Sequence, residues 1–433
     1  MNSFETVFQT VRALLGATGA DLSVRDAAWS RFCAVGLPTT RDEEFKYLPL
    51  NRLYETVYGA PHGATVSREQ VAATGLTTPA GFTLAFLNAE PAPELSMACS
   101  LPRGVVVTTL SQAREEMPEL VEKYLSTVAT FDGKLGSTND ARFVDLNDAL
   151  WQDGAFVYVP AGVVVEDPIQ IVYVTTANLG PIMTQPRTLV VMEQGALARV
   201  AECFVGLEGQ AFVNPLTEVV LGSRANLEHL RFQDETLESV HIGNIFVHQE
   251  ADSVYSSINT QFGGDTGRVD LNVFLNGEHT ETWLDGVVVG AGEQTLENHT
   301  RIDHAKPNCN SFEVYKNVLK DKASGSFNGK IFVYEDAQKT DAKQTNQGML
   351  LSPTATFNTK PQLEIFADDV KCTHGATVGQ LREDALFYLR ARGIPKDQAQ
   401  ALLVYAFAAE VIEKVKVDSL REMMTEKVRA KLS

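Results

Sequence analysis

At 433 residues, with 44% hydrophobic and 21% charged residues, the chain has the composition of an ordinary globular protein with ample core for about two or three domains, or one elongated one. Its formal charge of −18 argues against a nucleic-acid backbone or an anionic membrane surface as the main partner. No apolar run approaches the ~18 residues of a membrane-spanning helix, and Glu5 stands where a signal peptide would carry a basic segment. The five cysteines (Cys33, Cys99, Cys203, Cys309 and Cys372) are scattered without a Cys-x-x-Cys, which suits free thiols in a reducing cytoplasm.

Residues 1–80 read as a helical region. Phe4, Val7, Phe8, Val11, Leu14 and Leu15 follow the 3.6-residue period, and a second helix begins near Arg25. A loop-like run with Pro38, Pro49 and Pro61 follows. Within it, Glu43-Glu44-Phe45-Lys46-Tyr47-Leu48 mixes charge and aromatic residues, suited to packing plus a solvated edge.

Residues 81–370 change character. Short apolar runs of strand length succeed one another: Phe82–Leu87, Val105–Thr109, Phe156–Val159, Ile169–Val174, Leu189–Met192, Thr217–Leu221, Ile245–Val247, Val269–Phe274, Trp283–Val289, Phe312–Leu319, Ile331–Tyr334 and Leu363–Phe366. β-Branched and aromatic residues dominate them, and turn-forming clusters such as Glu193-Gln194-Gly195-Ala196 and Asp321-Lys322-Ala323-Ser324-Gly325 separate them. After about residue 150 no helix-length pattern intervenes, which argues against βαβ architecture. A stacked solenoid and a large sandwich remain as equals. The turn clusters are irregularly spaced and give no repeat period, while Asn276-Gly277 and Asn328-Gly329 are hairpin-type dipeptides that favour some antiparallel pairing.

Residues 371–433 read as a C-terminal helical domain. Asp384–Arg392 forms a first helix, with Gly393 placed to end it and Pro395 to start the next. In the second, Leu402, Tyr405, Ala406, Ala409 and Ile412 form one apolar stripe beside another of Leu403, Phe407 and Val411. That face is wider than its own domain needs. The tail from Glu410 to Ser433 mixes Lys, Arg and Glu and reads as a solvated helix end.

Few of the motifs that carry chemistry are present in the sequence. Gly325-Ser326-Phe327-Asn328-Gly329-Lys330 has the wrong spacing for a phosphate cradle, and Gly290-Ala291-Gly292 lacks the third glycine of a dinucleotide fingerprint. Any ATP-driven step therefore needs a partner. His299 and His304, followed by Cys309, have no zinc-ligand spacing, and on a strand positions 299 and 304 face opposite sides; polar packing is the plainer reading. His241, His248 and His279 stand alone and read as structural. No Gly-x-Ser-x-Gly elbow is present, and adjacent Asp368 and Asp369 would point to opposite faces of a strand, which undercuts a paired acid/base role.

What remains is Lys371-Cys372-Thr373-His374-Gly375. In an extended strand residues i and i+2 share a face, so Cys372 and His374 can serve one target. Thiolate and imidazole suit Zn, Cu or iron–sulfur chemistry better than Mg or Ca. Two ligands do not complete a tetrahedral site, so distant residues or a second protein must supply the rest. Taken alone, the pair is a weak signal, and a packed thiol beside a hydrogen-bonded imidazole, the commoner use of buried Cys, is the plainer reading.

The surrounding residues carry a resemblance. Pro361-Gln362-Leu363-Glu364-Ile365-Phe366-Ala367-Asp368-Asp369-Val370-Lys371-Cys372-Thr373-His374-Gly375-Ala376-Thr377-Val378-Gly379-Gln380-Leu381 and Leu386-Phe387-Tyr388-Leu389-Arg390-Ala391-Arg392-Gly393-Ile394 resemble the SufB/SufD family of iron–sulfur cluster assembly proteins. So do Leu146-Asn147-Asp148-Ala149-Leu150 and the run from Asp153 to Pro160. The SufD side of that family carries Cys-Ser/Thr-His-Gly, as here, whereas SufB carries an acidic residue around the matching His. Arg382 departs from the acidic residue expected after Gly-Gln-Leu, which puts a helix-start charge in doubt.

The resemblance implies a mainly β protein: a right-handed parallel β-helix core flanked by helical N- and C-terminal domains. It implies a non-catalytic scaffold subunit that pairs with a SufB-like paralogue through the β-helix and carries a SufC-like ABC ATPase on its C-terminal helices. An iron–sulfur cluster, transient and shared with SufB, would form at the interface, with His374 and its neighbour Cys372 as ligands on this side. The resemblance leaves open a flavin on the complex and a homodimer when the partner is absent. Two further readings stand beside it. One is a purely structural partner of SufB with no ligand role. The other, disfavoured by the lack of paired carboxylates, is a β-helical carbohydrate-active enzyme.

Overall fold

Alternate strands of this chain belong to two different sheets. The computed structural model describes residues 2–16, 22–61, 63–76, 81–129 and 140–432. In spatial order the first sheet runs through Glu90–Pro91, Phe82–Leu87, Ile169–Thr175, Leu197–Gly206, Asn226–Asp234, Val254–Gln261, Glu281–Gly290, Asn310–Leu319, Asp341–Leu350 and Lys371–Gln380. The second runs through Val106–Thr109, Gly154–Val159, Arg187–Met192, Leu216–Leu221, Val240–Gln249, Thr266–Leu275, Thr295–His304, Ser324–Val333 and Thr356–Ile365. From Ile169 onward, sheet neighbours pair in parallel and in register. Each connection therefore crosses between sheets, and the chain winds as a parallel β-solenoid. That decides between the solenoid and the sandwich.

The repeat is present but disguised. Gly195, Arg224, Asp252, His279, Asn308 and Lys339 all have positive φ and turn the chain from the second sheet into the first. Their intervals of 29, 28, 27, 29 and 31 residues are the rung length. One of the six is glycine, so composition hides a period that the backbone keeps.

The expectation of hairpins at Asn-Gly pairs is overturned. Antiparallel pairing among the described residues is confined to the N-terminal end, between Glu90–Pro91 and Phe82–Leu87, between Val106–Thr109 and Gly154–Val159, and at an isolated bridge from Thr83 to Met97. Gly277 lies in a connector where a Cβ would stand 1.9 Å from Ala251 N of the preceding rung, so close approach explains its glycine. Gly329 lies within the strand Ser324–Val333, where a Cβ would meet Gln344 Nε2 at 2.1 Å.

The first sheet also continues past residue 370, where the sequence reading changed to helix: Lys371–Gln380 is its last strand, and the first C-terminal helix is Glu383–Arg390. The next helix, Lys396–Ile412, buries Ala399, Val404, Ala408, Val411 and Ile412. Of the two expected stripes, only Val411 and Ile412 are buried, and Leu402 is 51% exposed. Asp418–Leu432, read as a solvated tail, instead buries Leu420, Met423, Met424 and Val428 against the outer face of the first sheet, beside Leu230, Phe232 and Val289. Lys316–Glu410, Lys414–Asp285 and Lys427–Asp234 ion pairs fasten these helices to the sheet.

At the other end, Asn2–Gly16 and Ser23–Val35 pack Phe4, Val7, Phe8, Trp29 and Phe32 with Phe212, Val240 and Ile242 of the second sheet. Leu14, counted in the expected stripe, is 53% exposed.

Candidate functional site: an open rung with a polar lumen behind it

The solenoid ends without a cap. Thr356–Ile365 pairs with Ser324–Val333 and Lys371–Gln380 with Asp341–Leu350, and among the described residues no strand covers their far edges. Ile365, Phe366 and Val378 are left 38%, 60% and 46% exposed there.

Cys372 and His374 sit on this last rung. In register they lie over Ala342 and Gln344, both buried on the lumen side, so both face the lumen, as their spacing predicts. Their settings differ. His374 is exposed, whereas Cys372 is half-buried against Ile331, Val333, Ala337 and Leu363. Burial, with Asp341 nearby, pushes the Cys372 thiol up from its ordinary value. It is therefore a protonated thiol at neutral pH, and a metal binding there would have to displace that proton. No group of three or more His, Cys, Asp or Glu placed to hold a metal ion exists among the described residues. Among the described residues this chain supplies two soft donors and no complete site.

Deeper in the lumen lies a polar network that the sequence reading did not identify. Glu202, fully buried, accepts from Thr188 Oγ1 at 2.6 Å and His229 Nε2 at 2.9 Å. Burial opposes its ionisation, but these bonds hold its carboxyl below the usual range. His229 Nδ1 meets the Tyr255 hydroxyl at 2.9 Å. Next to it Arg231, its pKa lowered by burial to about 10, lies 4.6 Å over the Phe204 ring. Arg231 donates to His241 Nε2, and His241 Nδ1 in turn donates to Glu235 at 2.6 Å. His241 is thus structural, as expected, and burial lowers its pKa. Further along, Gln344 Nε2 donates to Glu313 Oε2 at 2.6 Å.

The discarded candidates stay apart. His304 faces inward, bonded to Ser311 Oγ at 2.9 Å, and burial lowers its pKa to about 3. His299 faces outward amid Glu44 (3.6 Å), Asp270 (3.9 Å) and Glu297 (3.4 Å). Burial and Arg268 oppose its charge, but its bonds to Glu297 and Glu44 raise its pKa. Glu44 brings the N-terminal segment onto this face, which accounts for the mixed character of residues 43–48. Cys309 is buried with its thiol donating to Gly277 O at 3.2 Å. Asp369 lies in a turn, paired with Lys339, and Arg382 pairs with Asp384 at the first C-terminal helix. The motif Leu146–Leu150 is structural: Asn147 donates to Pro186 O and Asn214 O, and Asp148 shares buried Arg187 with Glu218.

Fold and site thus define a parallel β-solenoid with helical ends, terminating in an open rung that presents paired soft donors. Comparison with known proteins gives this class its family. Residues 173–407 match the SUF system FeS cluster assembly SufBD core domain, and residues 1–171 match the SufBD protein N-terminal region. An iron–sulfur cluster assembly SufBD family protein of Synechocystis is 32% identical over 92% of this chain and 88% of its own length. Proteins named iron–sulfur cluster assembly protein SufD are 30% identical: that of Escherichia coli over 92% of this chain and 90% of its own length, and that of Bacillus subtilis over 76% and 74%. The chain belongs to the SufBD family of iron–sulfur cluster assembly proteins. No helix among the described residues is long and apolar enough to cross a membrane.

Proposed function

We propose that this chain is a non-catalytic subunit of the Suf assembly complex, offering His374 and Cys372 as ligands to iron or a nascent cluster at an interface with a SufB-like paralogue. Iron or the cluster is cargo here, not a resident cofactor. The observation that carries this reading is the lumen-facing placement of both donors on a strand whose far edge is unpaired. A partner strand that completes the rung would stand where it could also complete the ligand set. The SufD name of the E. coli and B. subtilis relatives supports the assignment to that side of the family. Exposed Phe387, Tyr388 and Leu402 (73%, 56% and 51%) on the C-terminal helices suit the docking of a SufC-like ATPase, which would supply the nucleotide chemistry for which this sequence has no cradle. In this reading the complex works in the cytoplasm, and the solenoid winds right-handed, the usual sense of parallel crossovers.

The test uses the chain co-expressed with its SufB and SufC partners and purified anaerobically. Iron and acid-labile sulfide per complex are compared between wild type and His374→Ala after size exclusion confirms equal assembly. Loss of metal from an intact complex is the expected result. Unchanged metal would leave this chain as architecture only.

A further inference from the structure

The last rungs bury more polar atoms than the protein itself satisfies. Gln261 Oε1, Asn298 Nδ2, Glu313 Oε1, Gln344 Oε1, Asn346 Nδ2 and both ends of the Asn317 amide are buried without a hydrogen-bond partner. They come from both sheets and, by strand alternation, all face the lumen. Scattered orphans are an ordinary cost of folding, but a contiguous set in one compartment is the situation that ordered internal water relieves.

Glu313 occupies the middle of this set. It is 1% exposed, one carboxylate oxygen accepts from Gln344, and the other is aimed into the lumen towards Thr300 without a hydrogen bond of normal geometry. Leu284 of the preceding strand and Gln344 of the following one are its register neighbours. Thr300 faces it from the second sheet and Tyr315 shares its strand; among the described residues no cation compensates it. Burial accordingly pushes its carboxyl up to about 7, with Gln344 and Thr300 pulling the other way. Its column continues through Gln344 to His374. Two strand spacings, roughly 10 Å in all, separate it from the open rung.

We propose that the lumen of the last rungs is a hydrated compartment through which buried Glu313 exchanges protons with the open end of the solenoid.

Infrared spectra of the full-length chain test the path without metal or partners. A protonated-carboxyl band present in wild type and absent in Glu313→Gln should vanish with a midpoint near neutrality. After transfer to D2O it should shift within the mixing time. A band that keeps its hydrogen until the protein unfolds, or no band removed by the substitution, overturns the inference. Gln344→Leu, which plugs the column with an apolar side chain, should keep the band but slow its exchange at least about tenfold. An unchanged rate would place the path elsewhere and refute the connection to the open rung. Should Glu313→Gln fail to fold, Glu313→Asp identifies the same band by displacing it. His374→Ala leaves this exchange intact on the present reasoning, so failure of the ligand assignment and failure of the lumen path are read by separate experiments.

Discussion

Replacing Glu313 by Gln should remove a pH-dependent loss of stability from the last rungs. The carboxyl rises from its ordinary value of 4.5 to about 7 on burial. Between those values the folded group keeps its proton while the unfolded one has lost it. Folding therefore takes up a proton, and stability falls as pH rises through that window. Below 4.5 both states are neutral and nothing is lost; above 7 the penalty is complete. At ~1.4 kcal/mol per pKa unit the full penalty is about 3 kcal/mol, of which about 2.5 kcal/mol accrues between pH 5 and pH 8. Gln keeps an oxygen to accept from Gln344 but cannot ionise. Because a solenoid unfolds rung by rung, the sensitive assay is amide hydrogen exchange in Asn310–Leu319 and Asp341–Leu350 rather than global melting. The protection ratio of variant to wild type, taken at each pH so that intrinsic exchange cancels, should grow roughly 50- to 100-fold from pH 5 to pH 8. A flat ratio would mean that Glu313 has the same proton affinity folded and unfolded, and the argument from its unpaired oxygen would fail with it.

Two other expectations follow from buried groups. Glu218→Ala removes one of two carboxylates from fully buried Arg187 and strips the acceptor of Ser126 N; with Asp148 still in place at 2.7 Å, a loss of about 3 kcal/mol is expected in urea denaturation, near the low end for a broken buried pair. A loss under about 1 kcal/mol would show that Asp148 alone suffices. Thiol alkylation of the native chain should reach exposed Cys33 first and half-buried Cys99 and Cys372 more slowly. Cys203, raised by burial to about 12, and buried Cys309 should react only on unfolding. Early labelling of Cys203 would contradict the packing of the C-terminal helices over it.

The sequence was legible along most of the apolar strands, Leu197–Gly206 excepted, and opaque where strands face a polar lumen. Runs such as Ile169–Val174 and Trp283–Val289 lie within strands of the solenoid. Asn226–Asp234, Thr295–His304 and Asp341–Leu350 went unrecognised, because their inward positions carry His229, Arg231, Asn298, Gln344 and Asn346. Without the apolar half of the alternation, a half-buried strand has no signature. The period was hidden for a related reason: five of the six residues holding the recurring left-handed turn are Arg, Asp, His, Asn and Lys. Cys372 and His374 were the opposite case. A two-residue spacing fixes a shared face as soon as the segment is a strand, so their common orientation could be read before the partner strand was known. That the rung beneath them is polar and its edge open could not, since both depend on register with residues about thirty positions upstream.

The two ends of the solenoid are treated differently, and the difference bears on assembly. At the N-terminal end antiparallel strands and helices close the sheets, as a lone solenoid requires of both ends. At the C-terminal end two ten-residue strands leave an edge each. Thr356–Ile365 is partly blunted by Lys360 and Pro361, but in Lys371–Gln380 the one charge is Lys371 and there is no proline. Natural proteins guard solvent-facing edges with charge, proline or bulges, so an edge this poorly defended suits the partner interface proposed above. Val378→Lys puts a charge on that edge at a side chain already 46% exposed. It should change the stability of the isolated chain by no more than about 0.5 kcal/mol, yet desolvating the new ammonium would oppose any strand laid beside it. Sedimentation of the variant with a SufB-like partner should show a weakened complex at unchanged chain stability. Full-strength assembly would move the interface away from this rung and, with it, the reason for placing Cys372 and His374 at a shared site.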